Sequence, residues 1–300
     1  MLITQRFRFV LLLLLTAVST VSAEGQNNHS LHQSSVIIQL QINNVIGPAA
    51  ADYIERNLQK ARDTQATAVL INMDTPGGLD MSMRRIIKRI IASPIPVISY
   101  VTPGGARAAS AGTYILYASH IAAMTPATNL GAATPVQIGG FGSFDDDKNS
   151  SDKKDNKNKA LTNPMTHKMV NDASAYIRGL AKMHGRNEQW AEKAVREAAS
   201  LSAKEALKLN VIDIVAMDTS DLLKQLQGRE VTVSGKSFIF NTTKIKIQSI
   251  TPDWRSQFLA VITNPSIAYI LLMIGIYGLV FEFSNPGSIV PGTIGGICLL

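Results

Sequence analysis

The sequence predicts an α/β protein with a mainly parallel sheet and crossover helices, followed by transmembrane helices. Three observations carry this. Strand-like apolar runs alternate with helical repeats from Val36 to Thr125, with short connections, which is the order of βαβ units with right-handed crossovers. One of those runs, Ala68 to Met73 (AVLINM), is almost continuously apolar, as a parallel strand covered on both faces must be. Near the C-terminus, Ile267 to Phe283 holds a single charge, Glu282, in 17 residues.

Taken in order, Met1 to Ala23 reads as a secretory signal peptide: Arg6 and Arg8, an apolar core from Phe9 to Val18, then Val21-Ser22-Ala23 before Glu24. An uncleaved anchor is the alternative, and either form exports the chain behind it. Glu24 to Ser35 is a polar N-terminal segment. Val36 to Ile42 is an apolar strand. Pro48 opens a helix with Ala51, Ile54, Leu58 and Ala61 on one face. After the Ala68–Met73 strand, Asp74-Thr75-Pro76-Gly77-Gly78 is a loop and Leu79 to Ile91 a helix. Pro96 to Val101 is a third strand, a helix-favouring run ends at Ser119, and Ile121 to Thr125 is a fourth strand.

Residues 139–159 break the pattern. Asp145 to Lys159 has five aspartates, five lysines and no apolar residue, so it has nothing to bury against its ordering entropy and reads as a disordered insert. Helical spacing returns over Pro164 to His184 and Glu188 to Ala198. Ser202 caps a helix from Ala203 to Leu209, with Asn210 at its left-handed end. Val211 to Ala216 is a short strand, Glu230 to Phe240 a hairpin turning at Ser234-Gly235, and Lys244 to Ile250 a further strand. A single α/β domain thus spans 36–250. The apolar run from Ile267, and a second from Ile294 that reaches Leu300, read as the start of a membrane domain over 265–300; a buried soluble helix is the alternative.

Composition excludes several classes. The net charge of +7 is scattered, without a basic stripe carrying interleaved aromatics, so nucleic acid is not the expected partner. One cysteine, Cys298, allows neither a disulfide framework nor a cysteine metal site, and the five histidines lack metal-ligand spacing. The phosphate-loop pattern GxxxxGK[ST] is missing. No metal or other cofactor is expected.

The chemistry concentrates at Gly105 to Tyr114 (GARAASAGTY), where Ser110 sits among small residues that let another backbone approach. It falls at a helix N-terminus, where free N–H groups stabilise developing negative charge. A plain N-cap serine is the competing reading. A nucleophilic serine needs a base. His120 and His167 have no evident aspartate partner, and Lys168 would serve if an apolar pocket kept it neutral. From composition and spacing alone, a solvated surface lysine is the better account of Lys168. Gly77 and Gly78 could offer backbone N–H groups to a bound carbonyl, or could form an ordinary turn.

The DTPGG loop, the Gly-Ala-x-Ala-Ala-Ser-Ala-Gly segment around Ser110, AYIRGLAKMHGRN at 175–187 and SLSAKEALKLNVID at 200–213 together resemble the long NfeD proteins. These are membrane-bound serine proteases of the ClpP/crotonase clan, related to signal peptide peptidase A. The resemblance implies a crotonase/ClpP-like fold, Ser110 as nucleophile, Lys168 as base in a Ser-Lys dyad, and Gly77 and Gly78 as the oxyanion hole. It also implies apolar peptide substrates, a stomatin-like membrane partner and a homodimer or larger assembly; the signal peptide, not the resemblance, sets the protease domain outside the cytoplasm. Two other classes stay open: a catalytically weak scaffold of a stomatin-type membrane assembly, and an enzyme of acyl thioesters.

Overall fold

The structure is a computed structural model that describes residues 34–136, 164–262, 265–284 and 290–300. The expected signal peptide and the 139–159 insert lie outside the described residues.

Six parallel strands form the central sheet in the order β11-β1-β2-β3-β5-β8. They are β1 (Ser34–Ile42), β2 (Ala66–Met73), β3 (Val97–Val101), β5 (Ile121–Met124), β8 (Ile214–Val215) and β11 (Lys246–Ser249). Helices α1 (Pro48–Asp63) and α2 (Asp80–Ile91) are the crossovers β1 to β2 and β2 to β3. Alternate strand residues serve opposite faces. In β2, Val69 and Ile71 join the core beneath α1 and α2, while Ala68 and Leu70 join a second core with Ile98, Tyr100, Leu222 and Phe240. That is why AVLINM is apolar on both sides.

A second, small sheet holds the site: β4 (Arg107–Ala109), β6 (Asn129–Gly131) and β7 (Ser200–Ser202), in the order β4-β6-β7. Helix α3 (Ala111–Ala118) lies between the two sheets and is buried along its whole length. Helix α4 (Pro164–Met183) packs on it through the stacked rings of Tyr114 and Tyr176, and α5 (Glu188–Arg196) through Tyr117 and Trp190. Helix α6 (Ala203–Lys208) carries the expected Ser202 cap as a capping box with Glu205, and Asn210 takes its left-handed position at φ 54°.

Several elements differ from the sequence reading. Val211 to Ala216 contributes only Ile214–Val215 to the sheet, because Val211 N–H turns back to Ala206 C=O and the Asp213 carboxylate replaces a ladder carbonyl on Ala122 N–H. The hairpin of β9 (Glu230–Val233) and β10 (Lys236–Ile239) turns at Ser234-Gly235 as expected, with φ of 48° and 76°. The Lys244–Ile250 strand becomes β11, an edge of the main sheet. Helices α7 (Thr219–Leu226) and α8 (Trp254–Ile262) were not foreseen.

Helices α9 (Pro265–Ser284) and α10 (Val290–Leu299) follow. Among the described helices, α9 is the one long and apolar enough to cross a membrane, with a mean hydropathy of 2.0 over Ile267–Ser284. Only 6% of that window is buried, so it is not a core helix of the domain.

Candidate active site

Ser110 joins β4 to α3 on a sharp strand-to-helix turn. Its backbone has φ 51° and ψ −118°, a region that a residue with a Cβ rarely enters. It holds the N-cap position, yet its side chain makes no capping hydrogen bond. The hydroxyl is half-exposed and the backbone is clamped. Ser110 N–H donates to Gly131 C=O at 2.9 Å, and Thr113 N–H donates to Ser110 C=O at 2.9 Å. The buried Thr113 hydroxyl accepts the Gly131 N–H at 3.0 Å, locking β6 under the turn. The backbone of Ser110 is thus strained and held by several bonds, while its side chain does not serve as a cap.

The 74–78 loop is bonded to this turn. Arg107 N–H donates to the Asp74 carboxylate at 3.1 Å. Thr75 pairs with Ala108 as a parallel bridge, through Thr75 N–H to Arg107 C=O and Ala109 N–H to Thr75 C=O. Gly77 then faces Ser110 at φ 117°. A Cβ there would lie 2.6 Å from Ser110 Cβ and 3.1 Å from its Oγ. Gly78 has a different reason for lacking a side chain: a Cβ would meet Ile46 O at 2.2 Å, where the loop bridges to the chain after β1.

The backbone donors are not equivalent. Gly77 N–H is taken by Thr75 Oγ1 at 3.1 Å. Gly78 N–H has no hydrogen-bond partner among the described residues. Ala111 N–H, one residue past Ser110, is the first of the helix and has no intrahelical acceptor. Sequence reading missed Ala111, although its place directly after the serine in Ala-Ser-Ala-Gly was the available signal.

Lys168 lies on α4 but exposed, and no hydrogen bond joins it to Ser110 among the described residues. The apolar pocket that would keep it neutral is not formed. The helix period explains this: the buried stripe runs through Ala173, Ile177 and Leu180, and Lys168 precedes Ile177 by about two and a half turns, which puts it on the opposite face. Of the other bases considered, His167 is exposed. His120 sits past the far end of α3, with Nδ1 accepting Val97 N–H at 3.2 Å and its ring 5.7 Å from that of His184. Among the described residues no group of three His, Cys, Asp or Glu side chains could hold a metal ion.

The end of α3 away from Ser110 is capped by a buried cation. Arg186, 4% exposed, donates to the carbonyls of Leu116, Tyr117 and Ser119 at 2.9 to 3.2 Å and to the Asp213 carboxylate at 2.6 Å. This gives the Gly-Arg-Asn run at 185–187 a physical role. Gly185 turns the chain at φ 64°, Arg186 caps α3, and Asn187 caps α5 by accepting Trp190 N–H.

Two stretches match known families: residues 36–236 match NfeD1b, N-terminal domain, and residues 266–300 match NfeD integral membrane domain. Over 268 residues the chain is 36% identical to the membrane-bound protease PH1510 of Pyrococcus horikoshii, covering 89% of this chain and 57% of the relative. Over 293 residues it is 28% identical to the membrane protein NfeD1b of Bacillus subtilis, covering 95% of this chain and 60% of the relative. The chain thus spans little more than half the length of these curated relatives. Among solved structures it is similar to 1510-N, a membrane-bound stomatin-specific protease, in a lysine-to-alanine variant bound to a substrate peptide. The TM-score is 0.64 at 35% identity, over 76% of this chain and 98% of the other. A serine-to-alanine variant of that protease is also similar.

Proposed function

The chain belongs to the NfeD family, and from that premise we propose that residues 36–250 form a serine endopeptidase domain, anchored in a membrane by α9, that cleaves apolar segments of membrane-associated proteins. The observation that carries the reading is the Ser110 turn: a strained, clamped backbone whose hydroxyl caps nothing and faces Gly77.

In this mechanism a neutral Lys168 Nζ takes the proton as Ser110 Oγ adds to the peptide carbonyl carbon. The oxyanion is held by the N–H groups of Gly77 and Gly78, with Ala111 at the helix N-terminus. Gly77 contributes by releasing Thr75 Oγ1. Lys168 then returns the proton to the leaving amine, an ester forms on Ser110, and a water deprotonated by the same lysine hydrolyses it. Because Lys168 is exposed, the mechanism requires a bound substrate or a second copy of the chain to cover it and favour its neutral form. The leader-like sequence of Met1 to Ala23 supports a domain outside the cytoplasm. By likeness to the stomatin-specific relative, we assign a stomatin-like membrane protein as partner; a homodimer or larger assembly is what the family resemblance alone implies.

The test is cleavage of an apolar peptide by the full chain in lipid, beside Ser110→Ala and Lys168→Ala forms. Loss in both supports the dyad, and cleavage that survives either substitution removes that residue from it. The exposed Lys168 favours a second reading, a scaffold with little turnover. A serine-acylating reagent separates the two, since a scaffold leaves Ser110 unlabelled.

A further inference from the structure

Helix α8 presents its faces in the reverse of the usual order. Its one fully buried described side chain is polar: Ser256, 3% exposed, which faces α1. Ser256 Oγ accepts from Arg56 at 2.9 Å, and Asp253, the N-cap, binds Ser256 and pairs with Arg56. On the side away from Ser256 stand Trp254, Phe258 and Val261, at the i, i+4, i+7 spacing of one helix stripe, with Ile262 beside them. Trp254 is 75% exposed and Phe258 59%. A helix on an aqueous surface would turn these side chains inward and Ser256 outward.

We infer that α8 lies in the interfacial layer of a lipid bilayer, its Trp254–Phe258–Val261 face in the headgroup and upper acyl region and its Ser256 face bound to α1. The proposal rests on α9 entering that bilayer. Continuity commits the occupant: α9 begins three residues after Ile262, so the apolar face is delivered to the surface that α9 enters. The side chains also suit it, since tryptophan favours the interface and Arg255, exposed beside Trp254, supplies a cation for anionic headgroups. The Arg56–Asp253–Ser256 latch then makes α8 a foot, which fixes the orientation of the domain over the membrane in place of a free tether.

Trp254 itself reports the outcome. The full chain is reconstituted in phosphatidylcholine/phosphatidylglycerol vesicles and floated. Its emission, less that of a Trp254→Phe form, is read against brominated acyl chains and against aqueous iodide. Trp190, buried in the domain, cancels in the difference. The proposal expects the difference signal to lose most of its intensity in brominated lipid and to ignore iodide. A floating protein whose Trp254 is quenched by iodide and not by bromine overturns it and leaves α8 as a tether in water. Shielding from both quenchers also overturns it, in favour of a protein contact such as a second copy. A chain that does not float at all removes the membrane anchor itself, and the foot with it.

Discussion

Gly77 and Ser110 approach so closely that a methyl group on residue 77 would lie 2.6 Å from the Ser110 Cβ. The contact joins the loop after β2 to the turn before α3. Gly77→Ala would both force this overlap and strain a backbone at φ 117°, at a cost of about 1–3 kcal/mol. Peptide cleavage should fall by a factor on the order of 10² if the Gly77 N–H, once released from Thr75 Oγ1, is one of the oxyanion donors. Unfolding midpoints and cleavage rates of the same preparation check this, and a fully active Gly77→Ala form would remove residue 77 from the site.

Ser110 holds φ 51° and ψ −118° without a capping bond in return. Glycine takes this conformation freely but costs more backbone entropy on folding. Ser110→Gly should therefore end cleavage and raise stability by about 1 kcal/mol, with Ser110→Ala inactive but not stabilised. Chemical denaturation in detergent would show it. If Ser110→Gly were less stable than wild type, strain would not be stored at this turn.

Arg186 and Asp213 form a nearly buried pair at the other end of α3. Arg186→Met leaves three carbonyls and a carboxylate without their cation, a loss of about 3–5 kcal/mol. Adding Asp213→Asn should restore part of it, because the amide oxygen can still accept Ala122 N–H while the unpaired charge is gone. Equal midpoints for the single and double forms would contradict this account.

His120 and His184 give a pH dependence. Burial, then the charges of His184 and Arg186, push His120 down to about 4; burial and Arg186 do the same to His184. Both native values lie below the ordinary histidine value, so the unfolded chain binds more protons as pH falls from about 6.5 to about 4. Stability is complete above that window and is lost through it, by up to about 3 kcal/mol for each histidine. Val97 N–H already donates to His120 Nδ1, so protonation there would also break a backbone contact. His120→Gln should flatten the decline in unfolding midpoint between pH 7 and 4.5, and an unchanged slope would clear the pair of this role.

Much of the fold was legible because the main sheet and its crossover helices are written in local pattern. The β2 run declared its two-sided burial, Pro48 the start of α1, and Ser234-Gly235 the hairpin turn. The small β4-β6-β7 sheet was not legible. Its strands have three residues each, too few for a period to show, and they exist only because β7 reaches β6 from far along the chain.

The sequence by itself determined the parallel α/β order, the apolar C-terminal helix and the placing of a serine among small residues at a helix start. Each is a property of neighbours along the chain. Tertiary structure alone decided that Ser110 is strained and uncapped, that Gly77 touches it, and that Gly78 is small for the sake of Ile46. It also decided that Lys168 faces outward and that α8 hides a serine while showing a tryptophan. These are contacts between elements distant in sequence, and helical or strand periodicity specifies which residues share a face but not what that face meets.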